Sequence, residues 1–241
     1  MKITFVGTSH GVPEKNRFCT CMMLESGGAI YFVDAGAPMI DYMVNHDKDI
    51  NSLRAVFTTH VHSDHTIGLV HLTNLMNWYY KKSSADIFMT EQAHIDATVR
   101  WTYTAGDNEM DESRIRFKLP TEGLVYEDEN IKVEYIPTAH IKNSYAILIT
   151  EGDKRVLFCG DLSHGLRKND VPAVIRDNIN ACVCELAHFT LEELSPYLDE
   201  CKAEKLFFIH AKPKRYEDIE SIKGKYSFEV ITPNDNDQYD I

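Results

Sequence analysis

The segment 60–65 carries the densest group of reactive side chains in the sequence, three histidines and one aspartate in HVHSDH. In an extended backbone, alternate side chains project to the same side, so His60 and His62 can approach one metal ion together. Asp64 and His65 follow the expected turn and can face a second ion nearby. Neutral imidazole and carboxylate are donors that suit zinc, and also manganese or iron. The segment therefore predicts a metal site rather than a polar loop with histidines by chance.

Four side chains of the types that bind metals follow apolar stretches that are predicted to be strands. His60, Asp161 and His210 each stand at the end of such a stretch, and His140 comes shortly after the stretch 133–136. In layered α/β proteins, functional groups gather where strands end and loops begin. We therefore expect these four side chains to converge on one edge of the protein, together with the rest of segment 60–65.

The elements that must position these side chains alternate along the chain, with no evident internal repeat or low-complexity linker. Short apolar runs between turn signals predict strands, and the Ser-Gly-Gly turn at 26–28 predicts a hairpin between two of them. Helical spacing of apolar residues predicts helices at 38–45, 67–80, 92–103, 171–177, 191–201 and 216–222. The polar, acidic tail from Pro233 is expected to be loose.

Composition limits the classes of function. The chain has 241 residues and a formal net charge of −12, which argues against broad binding of nucleic acid, apart from a local basic patch at 212–215. No run of 18 apolar residues occurs, so no membrane partner is expected. The N-terminus lacks the features of a signal peptide, and a cytoplasmic location is the default expectation. The six cysteines form no Cys-x-x-Cys pair and are expected to be reduced core residues.

The order His-x-His-x-Asp-His, lone His, lone Asp and final His resembles the metallo-β-lactamase superfamily over about residues 3 to 216. The resemblance implies an α/β fold in the form of a four-layer αββα sandwich, two mixed β-sheets flanked by helices. We accordingly expect one domain over residues 1–241. Asp34, in the sequence VDAG, matches an aspartate that supports the metal site in the superfamily without being a ligand.

The resemblance also implies two metal ions and assigns their ligands. One ion would be held by His60, His62 and His140, the other by Asp64, His65 and His210, and Asp161 would bridge them. Zinc is the expected metal, with manganese or iron as alternatives. Two close metals stabilise the attacking and leaving oxygens and lower the pKa of bound water, so hydroxide forms near neutrality. Asp64 would additionally orient that hydroxide.

Three segments resemble the ribonuclease Z and phosphodiesterase branch: 7–13 (GTSHGVP), 59–69 and 210–216. Glu185 and His188 depart from that branch, because there the His lies well downstream of the Glu. We interpret His188 as a general acid and Glu185 as the group that tunes it. The alternative is a helix-capping loop with an exposed histidine, in which Thr190 and Glu193 form a capping box. The two roles are compatible.

The flexible arm with which ribonuclease Z grips tRNA is not recognisable in the sequence. The stretch around 78–118 is instead an aromatic insert with Tyr79, Tyr80, Trp101 and Tyr103. Base stacking is one interpretation, but aromatic residues are common at interfaces, so a lid or a homodimer contact is preferred. Together with the negative charge, this favours a small-molecule or short phosphodiester substrate over nucleic acid.

The sequence therefore predicts a dinuclear metal-dependent hydrolase that cleaves phosphodiester bonds through metal-activated hydroxide, with Asp64, Glu185 and His188 in catalysis. The alternatives are an acyl hydrolase of lactones, esters or β-lactams, a tRNA 3′-processing endonuclease, and a non-catalytic metal-binding module. His10 and His164 are further candidates to approach the site. Natural substrate, metal identity and oligomeric state do not follow from the sequence.

Overall fold

The first sheet collects the amino-terminal strands. The structure, a computed structural model, describes residues 1–12, 14–105 and 109–241. Its early strands are β1 (Lys2–Gly7), β2 (Cys21–Ser26), β3 (Ala29–Val33), β4 (Leu53–Phe57), β5 (Ala85–Phe88) and β6 (Ile115–Lys118). The pairings from β1 to β3 are antiparallel and those from β3 to β6 are parallel, so the sheet is mixed.

The second sheet follows the same plan, with antiparallel strands first and parallel strands after them. It contains β7 (Gly123–Glu127), β8 (Lys132–Pro137), β9 (Tyr145–Glu151), β10 (Lys154–Phe158), β11 (Ile179–Leu186), β12 (Ala203–Ala211) and β13 (Glu229–Ile231). Pairing is antiparallel from β7 to β10 and parallel from β10 to β13. The last strand, β14 (Gln238–Asp240), returns to the first sheet and pairs antiparallel with β1.

Helices cover the outer faces of the two sheets. The α-helices of the described residues are α1 (Met39–Asn45), α2 (Ser63–Thr66), α3 (Gly68–Trp78), α4 (Gln92–Ala105), α5 (Leu191–Leu198) and α6 (Tyr216–Ser221), of which α2 is a single turn outside these faces. Apolar residues of α1, α3 and α4 pack on the first sheet, and those of α5 and α6 pack on the second. Each helix that is described is too short or too polar to cross a membrane.

The protein has four layers in the order helices, sheet, sheet, helices, and an apolar core fills each of the three spaces between them. The central one lies between the sheets and joins large rings from both, such as Phe5 and Phe57 of the first with Tyr135 and Phe207 of the second. All six cysteines carry free thiols and five are buried, as expected for reduced core residues. The expected αββα sandwich of two mixed sheets is confirmed.

Two expectations from local sequence were wrong. The segment 171–177 contains only a 3-10 turn, Ala173–Arg176. The acidic tail is not loose, because Asp235 accepts hydrogen bonds from the Thr8 hydroxyl at 2.7 Å and the Phe18 amide at 2.6 Å. The tail then continues into β14. Its partners lie more than 200 positions away in sequence, so its polar composition alone could not indicate them.

Candidate metal centre

The carboxyl-terminal ends of parallel strands bring the predicted site residues together. His60 follows β4, Asp161 follows β10, and His210 is the second-last residue of β12. His140 comes after β8, on the loop that leads to β9. His62, Asp64 and His65 surround the start of α2, directly after β4. The edge predicted from the sequence is thus formed by loops of both sheets.

The first set of donor atoms surrounds His62. Its Nδ1 lies 2.9 Å from Nε2 of His60 and 3.2 Å from Nε2 of His140. Asp161 Oδ2 lies 3.8 Å from His60 Nε2 and 3.7 Å from His140 Nε2. One ligand atom from each of these four residues falls within 4.8 Å of all the others, which is the spacing of donors around a shared cation.

The second set consists of Asp64, His65 and His210. Asp64 Oδ2 lies 3.4 Å from His65 Nε2 and 3.2 Å from His210 Nε2. Gly11 of the opening loop lies against this carboxylate, since a Cβ at that position would approach Asp64 Oδ2 to 2.7 Å. The backbone of Gly11 also has φ +82°, in the left-handed region that favours glycine.

Asp161 lies between the two sets. Its Oδ1 is 3.5 Å from His65 Nε2, and its Oδ2 is 3.7 Å from His210 Nε2 while also facing the first set. The positive side chains around it, with His210 and His65 foremost, overcome the effect of burial and hold the pKa of Asp161 well below its usual range. The carboxylate is therefore ionised and available to both sets.

Charge is distributed unevenly among the histidines. Burial, reinforced by His65, lowers the pKa of His60 well below its usual value, so its ring is neutral and can donate a lone pair. Burial also opposes protonation of His65, but Asp34 and Asp161 outweigh it and raise its pKa well above the usual value. Burial is likewise outweighed at His210, where Asp161 and Asp64 raise the pKa.

A divalent cation fits this cluster. His65 Nε2 and Asp161 Oδ1 are both buried and have no hydrogen-bond partner, although such atoms are costly to leave unsatisfied. Both point into the group of donors, so a cation would satisfy them. Imidazole nitrogen and carboxylate oxygen are also the donor chemistry of zinc sites. The cluster is therefore a site for divalent metal.

Groups behind the donors set their orientation. His65 Nδ1 donates to Asp34 Oδ2 at 2.8 Å, and His140 Nδ1 donates to the Leu162 carbonyl at 3.2 Å. Asp34 thus lies where the resemblance predicted a supporting aspartate. The Leu162 carbonyl and Thr59, which bonds Asp34, were not anticipated. A backbone carbonyl leaves no signal in sequence, whereas Thr59 could have been noticed as a hydroxyl directly before His60.

Glu185 and His188 lie beside the donor cluster. Glu185 is buried and accepts hydrogen bonds from His188 Nδ1 at 2.7 Å and from the backbone amides of Leu162, Ala187 and His188. His188 Nδ1 is 3.8 Å from Asp161 Oδ2. Burial opposes protonation of His188, but Glu185 and then Asp161 outweigh it and raise its pKa. The pair therefore has the geometry for the expected acid role.

The two additional histidines have different surroundings. The exposed ring of His164 lies edge to face with His188, with 4.7 Å between ring centroids, and so borders the site. His10, in the same opening loop as Gly11, instead contacts Glu14 Oε1 through its Nδ1 at 2.7 Å. Thr190 accepts from the Glu193 amide and Glu193 accepts from the Thr190 amide, which confirms the expected capping box.

Solved structures share the whole architecture. YhfI of Bacillus subtilis, described as a metallo-β-lactamase fold protein, superposes with a TM-score of 0.78 at 17% identity, covering 99% of this chain and 98% of that one. The short form of human tRNase Z superposes with a TM-score of 0.77 at 18% identity, covering 100% and 99%. The fold and the cluster thus define a metallo-β-lactamase fold protein with a divalent metal site.

Sequence comparison identifies the family. The family model described as Anti-Pycsar protein Apyc1 matches residues 1–230, and the chain belongs to this family. A ribonuclease Z of Shouchella clausii (strain KSM-K16) is 28% identical over 159 residues, which is 64% of this chain and 49% of that protein. The chain therefore spans about half the length of this curated relative.

Proposed function

We propose that the chain is a dinuclear metal-dependent hydrolase that cleaves phosphodiester bonds in small or short substrates. The observation that carries the proposal is the pair of donor sets joined by Asp161, with the Glu185 and His188 pair on one side. Two cations in contact with the same carboxylate suit displacement at phosphorus, where attacking and leaving oxygens both need stabilisation. The relatives named ribonuclease Z and tRNase Z support the same class of reaction.

In this proposal each side chain has a defined task. The first cation would be held by His60, His62 and His140, the second by Asp64, His65 and His210, and Asp161 would contact both. Zinc fits this donor set, with manganese or iron as alternatives. The bound cations would act as Lewis acids and bring the pKa of water toward neutrality. Asp64 would orient the attacking oxygen from the second set.

His188 would protonate the leaving oxygen. Its Nδ1 is held by Glu185 at 2.7 Å, which fixes the ring and directs Nε2 away from Glu185. Three backbone amides donate to the same carboxylate, so Glu185 is itself held in place. Burial opposes its protonation, but Glu185 and Asp161 raise the pKa of the imidazole, which favours the protonated form that a general acid needs.

A substrate panel tests the reaction class. The zinc-loaded chain is assayed with bis(p-nitrophenyl) phosphate, cyclic nucleotides, precursor tRNA, a lactone and a β-lactam. We expect turnover of small phosphodiesters.

Asp161→Ala should lose metal and nearly all activity, because both sets lose their shared carboxylate. Full turnover in this variant would refute the bridging role, and turnover of the lactone or β-lactam alone would assign the chain to acyl transfer.

Processing of tRNA 3′ ends is the second candidate, favoured by the relatives named ribonuclease Z. The net charge of −12 works against a long polyanionic substrate, because phosphate contacts depend on basic side chains. Cleavage of precursor tRNA at a higher kcat/KM than any small diester would select this alternative. If small diesters are hydrolysed and precursor tRNA is left uncleaved, this alternative is excluded.

We further propose that the chain forms a homodimer through the aromatic insert. Within it, Tyr79 is 64% exposed and Trp101 is 58% exposed. Trp101 lines an apolar groove with Ile67 that begins at His62, so a second copy seated there would also border the metal site. Light scattering should show a dimer that Trp101→Glu dissociates, whereas Leu124→Glu, at an exposed position outside the insert, does not. A wild-type monomer at high concentration would refute the dimer.

A further inference from the structure

Thr59 links the two halves of the metal centre through a single buried carboxylate. Its hydroxyl Oγ1 lies 3.0 Å from Asp34 Oδ2 and 3.1 Å from Asp34 Oδ1, and its amide donates to Asp34 Oδ1 at 2.8 Å. On its other side, the same Oγ1 lies 3.0 Å from Nδ1 of His60. Thr59 and Asp34 are both essentially inaccessible to solvent, so water does not compete for these contacts.

Counting donors and acceptors determines the direction of these hydrogen bonds. A carboxylate accepts only, and a threonine hydroxyl has one proton and two lone pairs. The Thr59 hydroxyl therefore donates to Asp34 and can only accept from His60. Nδ1 of His60 must then carry the ring proton, which leaves the lone pair on Nε2. This Nε2 lies 2.9 Å from His62 Nδ1 and 3.8 Å from Asp161 Oδ2.

The second half of the site is oriented by the same carboxylate without an intermediary. His65 Nδ1 donates directly to Asp34 Oδ2 at 2.8 Å, which leaves its Nε2 toward Asp64 and Asp161. Asp34 is thus connected to a histidine of each donor set, directly in one case and through Thr59 in the other. Such outer partners commonly determine tautomer and basicity of metal-binding histidines.

We propose that Thr59 is a positioning residue that places the proton of His60 on Nδ1 and thereby prepares the first donor set for its cation. The inference rests on the dinuclear centre of the proposed function. It assigns the effect to the hydroxyl and not to the methyl group. The methyl group has a separate packing role, because a Cβ on Gly160 would lie 3.0 Å from Thr59 Cγ2.

The chain offers matched variants for a test. Thr59→Val keeps the shape and removes the hydroxyl, whereas Thr59→Ser keeps the hydroxyl and removes the methyl. Thr58→Val is the control, since Thr58 is equally buried but its hydroxyl donates to the Phe88 carbonyl, away from the donor sets. Zinc affinity of the metal-free chain is measured by competition with a chromophoric chelator, and cobalt absorption reports the geometry of each site.

We expect Thr59→Val to weaken one of the two zinc-binding steps by about 10–100-fold, the usual effect of removing an outer partner. Thr59→Ser and Thr58→Val should bind zinc as the wild type does. Unchanged zinc affinity in Thr59→Val would overturn the inference. An equal loss in Thr58→Val would attribute the effect to general destabilisation, and an equal loss in Thr59→Ser would attribute it to packing.

A measurement on the wild type does not depend on any variant folding. Nitrogen-15 spectra of the neutral His60 ring in the metal-free chain should show the proton on Nδ1, and a proton on Nε2 would overturn the inference. None of these readouts uses turnover. A chain with the expected Thr59 dependence that hydrolyses no phosphodiester would therefore refute the proposed function alone.

Discussion

Seven side chains from four parts of the sequence form two adjacent sets, and within each set the donor atoms lie within 4.8 Å of one another. The electrostatics at this point are mixed, because Asp161 and Asp64 are held ionised by the histidines around them. A buried cluster of this kind is costly without a cation, since His65 Nε2 and Asp161 Oδ1 have no hydrogen-bond partner there. Chemistry at the residue scale thus explains why we expect metal to be an integral part of the folded protein.

His188→Ala should keep its metal and slow turnover by about 10²–10⁴-fold, the usual contribution of a general acid. The loss should be large for an alkyl leaving group and small for p-nitrophenolate, which leaves without protonation. The acid must be protonated to act, so kcat/KM of the wild type falls as pH rises through the raised pKa of His188. Measured pH profiles should show that this decrease is absent in His188→Ala. Loss of zinc from the variant would instead make His188 a ligand.

At the scale of elements, the parallel strands determine where the donors are, and short turns determine where they point. Asp34 after β3 and His210 in β12 both have positive φ, +59° and +47°, which non-glycine residues seldom adopt. Such conformations persist where the surroundings fix them, and here each turn directs a side chain to the centre. The unfavourable backbone conformations of the site therefore lie at the ends of β3 and β12.

The start of α5 gives a test at this scale. Thr190 and Glu193 satisfy each other's amides at 3.1 and 2.7 Å, and His188 lies just before this cap. Thr190→Ala should lower the free energy of unfolding by about 0.5–2 kcal/mol. Thr190→Ser should retain it. Urea unfolding of the metal-free chain measures the difference, and equal stability of both variants would show that the cap does not hold α5.

At the scale of the molecule, the metal centre connects the two sheets. His60 and its neighbours extend from β4 of the first sheet, whereas Asp161 and His210 extend from β10 and β12 of the second. A cation bound by side chains of both sheets would stabilise the sandwich beyond its apolar layers. The site would then also connect the two sheets.

Removal of metal should lower the unfolding temperature while leaving the strands and helices intact. Binding to the native state stabilises it by RT ln(1 + [L]/Kd), about 2.7 kcal/mol at a hundredfold excess over Kd. Calorimetry before and after chelation, followed by return of zinc, measures the shift. An unchanged unfolding temperature in the chelated chain would contradict a connection between the sheets.

Metal binding should release protons near neutral pH. The pKa values of His65 and His210 are raised in the metal-free chain, so both stay protonated to higher pH, and a cation must displace these protons. Zinc affinity should therefore increase as pH rises through these pKa values. Titration calorimetry in buffers of different ionisation enthalpy measures the protons released. An affinity independent of pH between 6 and 8, a range set about the usual pKa of histidine, would contradict this charge distribution.

Residue type and spacing alone predicted much of this protein. HVHSDH was identified from its density of histidine and aspartate, and His140, Asp161 and His210 from their positions after apolar stretches, because composition, alternation and strand ends are local properties of a chain. The resemblance supplied the sandwich and the supporting role of Asp34. The capping box at Thr190 was likewise readable, since its two residues are three positions apart.

Only the tertiary structure decided which groups bond across large separations. Three hydrogen bonds join residues 23 to 227 positions apart. They connect Thr59 with Asp34, the Leu162 amide with Glu185, and Thr8 of the opening loop with Asp235. These pairs depend on how strands order within a sheet and how the chain ends return to each other. That ordering arises from burial of the apolar layers as a whole, so no local pattern encodes it.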